Sequence, residues 1–258
     1  MMPDKEAVVH YKRRLFASGD PQYPGTFAVD FAIREPPAED PERDPDDATI
    51  ASPMSAGEKD ELGADDDKPM AVLVHGIAGS SKENYVKHTV VPLLAAGFEV
   101  CVVISRGCGQ SRLTSSMLFH ARSTWDLRQT VNVLHKRFPR RPLYAVGFSM
   151  GANILVNYLA EEGAATYFRA AVIPLFAINA LDDPISVHEA LPYDEAMKNP
   201  FTVLCTTSTG GHLAWFQPDG GRWYTHPIVR FFRLLQKEIV QVEVPDQRAP
   251  PEEPEVVM

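Results

Sequence analysis

From residue 69 onward the apolar residues fall into two alternating kinds of cluster. The short runs AVLVHG (71–76), FEVCVVIS (98–105), PLYAVGFS (142–149), PLFAINA (174–180) and FTVLCTTS (201–208) predict strands, the first ones buried on both faces of a parallel sheet. Between them the apolar positions take helical spacing. Pro92 suits a first helical turn, and LLAA behind it stops at Gly97, a natural helix stop. Ser123 and Asp126 have the spacing of a capping box, and Leu127, Val131, Leu134 and Phe138 then share one helix face. GANILVNYLAEEG (151–163) and HPIVRFFRLLQKEIV (226–240), the latter with Pro227 in its first turn, predict two more helices. Strands alternating with helices imply an α/β fold with a mostly parallel sheet and helices on both faces. Upstream, YKRRLF (11–16) and GTFAVDFAI (25–33) read as two strands around a GDPQYPG turn.

Composition divides this pattern. With 45% hydrophobic residues in 258, the chain can bury a substantial core as one large α/β domain or two small ones. Residues 35–68 hold 13 of the 34 acids, only Arg43, Lys59 and Lys68 of the 25 bases, and almost no large apolar side chains, which predicts an unstructured acidic insertion. PDQRAPPEEPEVVM from 245 predicts a loose tail in the same way. The net charge of −9 therefore sits mainly in the insertion, and the near-neutral remainder lacks the basic surface that nucleic acid requires. Lys12, Arg13 and Arg14, the one basic cluster, read as a solvated strand edge. Three cysteines (Cys101, Cys108, Cys205) without metal-ligand spacing point to a reducing compartment. The amino terminus lacks a signal-peptide core, and the longest mostly apolar run, 170–181, is too short to span a membrane.

The candidate chemistry starts at Gly147-Phe148-Ser149-Met150-Gly151, a G-x-S-x-G pattern. Its place between a strand and a helix predicts a tight turn that exposes the serine oxygen at a helix N-terminus, where the Met150 amide can face a developing oxyanion. An activated serine needs a base, and the base needs an orienting acid. Downstream, in that acid-then-histidine order, come Asp182 and Asp183 at the end of PLFAINA, then His212 in the glycine-bearing loop TSTGGHLAWF. Asp183, beside Pro184, is the preferred acid and Asp182 the alternative. His75-Gly76-Ile77 ends the first core strand, where backbone amides can complete an oxyanion hole while the His75 side chain is structural. His188 and His226 read as helix-start residues; His10, His88, His120 and His135 lack an acid partner or motif. Cys108, in SRGCGQS, is the most exposed cysteine candidate but reads as a turn residue.

Taken together, HGIAGSSKENYV, ISRGCGQSRLTS, GFSMGANILVNYLAEEG, INALDDPI and GGHLAWF resemble one branch of the α/β hydrolases, over residues 69–240. That branch holds the yeast-type medium-chain fatty acid ethyl ester synthases/esterases and the related mammalian acylglycerol and phospholipid lipases. The resemblance implies Ser149 as nucleophile, Asp183 as orienting acid, His212 as base, and oxyanion amides from Ile77 and Met150. It implies hydrolysis of short- to medium-chain carboxylic or monoacylglycerol esters, acyl transfer when an alcohol replaces water, and no cofactor or metal. The small-molecule ester would be the partner, with no nucleic acid and a location in the cytoplasm or at the surface of a membrane or lipid body. Residues 1–34 then read as amino-terminal strands of the hydrolase domain, 35–68 as its insertion, 69–244 as its core and 245–258 as its tail.

One departure from that branch has physical weight. Its members continue after the nucleophile helix into another strand and a set of cap helices, whereas here AEEGAATYFRAAV runs almost straight into IPLFAINALDDPI. The shortening leaves two outcomes: the acid strand slides in beside the serine strand, the cheaper one, bringing Asp183 one strand closer to Ser149, or the sheet keeps a gap there. The rival reading, motivated by the same shortening, is an inactive α/β-hydrolase-like binding or regulatory module.

Overall fold

The computed structural model describes residues 7–34, 52–53, 66–169, 175–199 and 202–239. Its centre is strand β4 (Met70–Val74), five apolar residues that are all buried because a strand pairs with each edge and helices cover both faces. The chain enters through an antiparallel hairpin, β1 (His10–Ala17) and β2 (Thr26–Ile33), whose register runs from His10 against Ile33 to Ala17 against Thr26. β5 (Glu99–Ile104) pairs antiparallel with β2 and parallel with β4, and β6 (Leu143–Gly147) pairs parallel with the other edge of β4. With the two-residue β3 (Ser52–Pro53) on the outside of β1, the sheet order is β3-β1-β2-β5-β4-β6.

Helix α1 (Asn84–Ala95) packs on one face through Val86, Val90 and Leu93. Helices α2 (Trp125–Arg137) and α3 (Met150–Glu162) cover the other through Leu127, Val131, Ile154 and Leu155. Two local expectations need correction. Pro92 lies inside α1 and not in its first turn, because the helix already begins at Asn84. The N-cap of α2 is Thr124 without a side-chain cap bond, since the Ser123 hydroxyl accepts the His120 amide instead.

The basic cluster is also more than a solvated edge. Arg13 is buried and forks onto Asp30, Nε to Oδ1 at 2.6 Å and Nη2 to Oδ2 at 2.8 Å. Ser81 donates to the same carboxylate at 2.6 Å, and Arg13 Nη1 donates to the Gly109 carbonyl. Most of the expected unstructured stretch 35–68 lies outside the described residues; within it Ser52–Pro53 join β1, and Asp66 receives Arg141 at 2.6 and 2.9 Å. The expected tail from 245 also lies outside them.

The carboxy-terminal half departs most from expectation. β7 (Leu175–Ala180) and β8 (Thr202–Thr207) pair parallel with each other in full register, yet form a separate two-stranded sheet. The acid strand has not slid in beside β6. The reason is steric: chain leaving α3 through a 3₁₀ turn at Gly163–Ala165 returns to the start of β6, where Phe168 makes a parallel bridge to Leu143. Phe168 is buried there with its ring edge against Tyr158, so the place that β7 would need is taken. A short helix α4 (Tyr193–Lys198) connects β7 to β8, and α5 (Thr225–Ile239) returns to the α1 face, where Phe232 packs against Phe98 and Tyr144.

Candidate active site

Ser149 sits on the turn between β6 and α3 with φ 51° and ψ −120°, a left-handed backbone that a residue with a Cβ rarely adopts. The neighbours enforce it. The Phe148 amide donates to the Val74 carbonyl at 3.0 Å, which pins the turn to β4. Gly151 has no room for a side chain, because a Cβ there would run into the carbonyl oxygens of Val74 and His75. Gly147 faces the same limit against the backbone of Ala152. The two glycines let helix α3 start hard against β4, and the serine between them is pushed out over the sheet edge.

The candidate base and acid arrive from the detached strand pair. His212, in the loop after β8, places Nε2 2.8 Å from Ser149 Oγ and Nδ1 2.8 Å from Asp183 Oδ2. Asp183 is buried just beyond the end of β7, and its Oδ1 accepts the amides of Ile185 at 2.8 Å and Ser186 at 3.0 Å. Burial alone would raise its pKa. The Ser186 amide, the His212 ring and the Ile185 amide together outweigh that effect and hold the carboxyl below its ordinary value, so it is an anion at neutral pH. A carboxylate on Nδ1 keeps the proton there and leaves Nε2 to accept the serine hydroxyl hydrogen. Asp182 has a different contact: its Oδ1 accepts the Gly211 amide at 2.7 Å and so braces the loop that carries the histidine.

Met150 follows the serine directly, and Ile77 follows Gly76, whose backbone lies against Ser149. Met150 is the first residue of α3, where the helix itself offers no acceptor for the amide. Among the described residues neither the Ile77 nor the Met150 amide donates to another group. The loop that carries Ile77 is held from below. His75 is buried, its Nε2 accepts the Ser105 amide at 3.1 Å, and its Nδ1–H therefore donates to the Gly76 carbonyl at 2.6 Å. Burial lowers the His75 pKa and keeps the ring neutral, in keeping with a structural role. Tyr85 Oη accepts the Gly76 amide at 3.0 Å, a contact that no sequence spacing signals.

A cavity of about 710 Å³ opens at Ser149 and lies between β6 and β7. The other sequence candidates stay apart from it. Cys108 is buried and not the exposed thiol that was expected, and burial raises its pKa. His188 pairs at 3.3 Å with Glu189, both exposed. Among the described residues no group of histidine, cysteine and carboxylate side chains could hold a metal ion, and no helix is long and apolar enough to cross a membrane.

Residues 71–173 match the family model described as the alpha/beta hydrolase fold. The chain is 28% identical to a monoacylglycerol lipase of Saccharomyces cerevisiae, over 74% of this chain and 66% of that protein. It is 26% identical to the medium-chain fatty acid ethyl ester synthase/esterase 2 of the same yeast, over 67% and 64%. It thus spans about two thirds of the length of these relatives. The alignment to the lipase runs over 299 residues, more than the 258 present here, so the relative carries stretches without a counterpart. Among solved structures an esterase of Pyrococcus furiosus superposes with a TM-score of 0.59 at 15% identity, over 91% of this chain and 96% of that one, a likeness of fold.

Proposed function

We propose, for a chain that belongs to the α/β hydrolases, that it cleaves short- to medium-chain carboxylic or monoacylglycerol esters through Ser149, His212 and Asp183. The observation that carries this reading is the unbroken run of hydrogen bonds from Ser149 Oγ through His212 to Asp183, each 2.8 Å long. Ser149 Oγ attacks the ester carbonyl while His212 Nε2 takes its proton. The charge that develops on the carbonyl oxygen falls to the Ile77 and Met150 amides, aimed beforehand by the turn and by the His75–Tyr85 support. Collapse expels the alcohol, protonated by His212, and water then releases the acid from the acyl-serine by the same steps in reverse roles. An alcohol in the place of water gives acyl transfer. The yeast relatives named for monoacylglycerol and for medium-chain ethyl esters support the substrate class. Such lipid-like esters would bring the protein to a membrane or lipid surface from the aqueous side.

A fluorophosphonate probe tests the reading directly. The folded protein is expected to label at Ser149 and to turn over p-nitrophenyl butyrate, and Ser149→Ala is expected to lose both. Absence of Ser149-dependent labelling in folded protein would sink it and leave the binding-module reading.

A further inference from the structure

The cavity at Ser149 is a break in the sheet as well as a hollow above it. Its walls include Ala145 and Val146 of β6 on one side and Ala177 and Ile178 of β7 on the other. It reaches helices on both faces, with Val156 and Leu159 of α3 on one face and Ile228 and Phe231 of α5 on the other. Phe168, bridged to Leu143, lines it at the end of β6 away from the serine. The result is a channel that starts at the nucleophile and runs back along the strands toward an aromatic floor.

We propose that this break in the sheet is the binding site for the acyl chain of the substrate, threaded between β6 and β7 from Ser149 toward Phe168. The inference rests on the serine hydrolase reading only for which end of the ester enters. Three observations argue for it. The cavity meets Ser149 and His212 at one end, so an acyl group bonded to Ser149 Oγ has its chain directed into it. Its volume, about 710 Å³, lies within the range of small-molecule sites, and its side chains are mostly apolar, as an alkyl ligand requires. Its length suits a medium chain. From the level of Leu143, bridged to Phe168, to Gly147 the strand advances roughly 13 Å, at about 3.3 Å per residue. A polymethylene chain advances about as far in three bonds as an extended peptide does in one residue, so roughly ten to twelve carbons reach the floor.

Binding can be measured without turnover. Decanoate and butyrate, each titrated into Ser149→Ala by calorimetry, test the channel in the full chain. Decanoate is expected to bind about tenfold tighter or more, because each added methylene that is fully buried contributes about fourfold. Ala177→Trp, which places an indole in the channel, is expected to remove most of that difference. Should that variant fail to fold by circular dichroism, Val156→Trp obstructs the channel from exposed helix surface. Equal affinity for the two acids, or an undiminished preference for decanoate in a folded obstructed variant, would overturn the proposal. Retained selectivity for decanoate in a protein that hydrolyses no ester supports the channel and refutes the hydrolase reading, so the two failures are distinguishable.

Discussion

The two halves of the molecule hold their strands in different ways. β4 and β5 have neighbours on both edges and helices on both faces, and all but Glu99 of their eleven residues are buried. In β8 no residue is buried, and in β7 Ala180 is the buried one among the residues whose side chains are described. The pair is held to the rest by side chains: Phe176 on Phe231, Ile178 on the core, and the His212–Ser149 contact. Ser149 and the Ile77 and Met150 amides therefore stand on the closely packed half, while Asp183 and His212 ride on the loosely packed one. Local opening should separate them long before the sheet unfolds.

The sharpest break of this arrangement is at the serine. Ser149→Ala is expected to lower kcat for p-nitrophenyl butyrate by about 10⁴-fold or more, with melting temperature essentially retained, since only one partner of the His212 contact is lost. On the other half, Asp183→Asn is expected to lower kcat by about 10³ to 10⁴-fold, because an amide no longer fixes the histidine tautomer. A loss much smaller than that would mean that Asp182 substitutes. For stability the halves should differ in size of response. Leu73→Ala in β4 is expected to cost about 3 to 4 kcal/mol in denaturant unfolding, and Leu204→Ala in half-buried β8 about 1 kcal/mol. Equal costs would mean that the strand pair packs as tightly as the main sheet.

The smallest expected effect is with pH. The Asp183 carboxyl has a lowered pKa in the folded protein, so its contribution to stability is fully present above the ordinary carboxylate value of about 4 and is lost as pH falls through the lower folded value. Hydrogen exchange of the β7 and β8 amides, corrected for intrinsic rates, should rise relative to β4 below about pH 4, and Asp183→Asn should remove that rise. A pH-independent ratio between the halves would show that the carboxylate does not help to anchor the pair.

What the sequence made legible was local. The turn at Ser149 follows from two glycines within a few residues of it, and the order of serine, acid and histidine places three loops on one sheet edge before any pairing is known. Whether Asp182 or Asp183 meets His212 depends on the side from which the loop after β8 approaches; the sequence favoured Asp183, which is the one that does, but kept Asp182 as the alternative. That the shortening leaves a gap and not a sliding strand was undecided for a similar reason: the bridge between Phe168 and Leu143, 25 positions apart, occupies the start of the free edge of β6, and no periodicity encodes it. Arg13 looked solvated because its partner Asp30 faces it only after the hairpin closes, and Tyr85 was not singled out because its hydroxyl partner lies on the loop after β4.

The buried contact of Arg13, Asp30 and Ser81 has one more consequence. Ser81 belongs to the loop that follows Ile77, and Tyr11 of the first hairpin also donates to the Ser81 carbonyl at 3.0 Å. The hairpin thus acts as a latch on the loop that carries Ile77. Trimming away β1 would release that loop, so under the proposed mechanism a shortened version of this protein would keep the turn at Ser149 and still lose the Ile77 amide from the developing oxyanion.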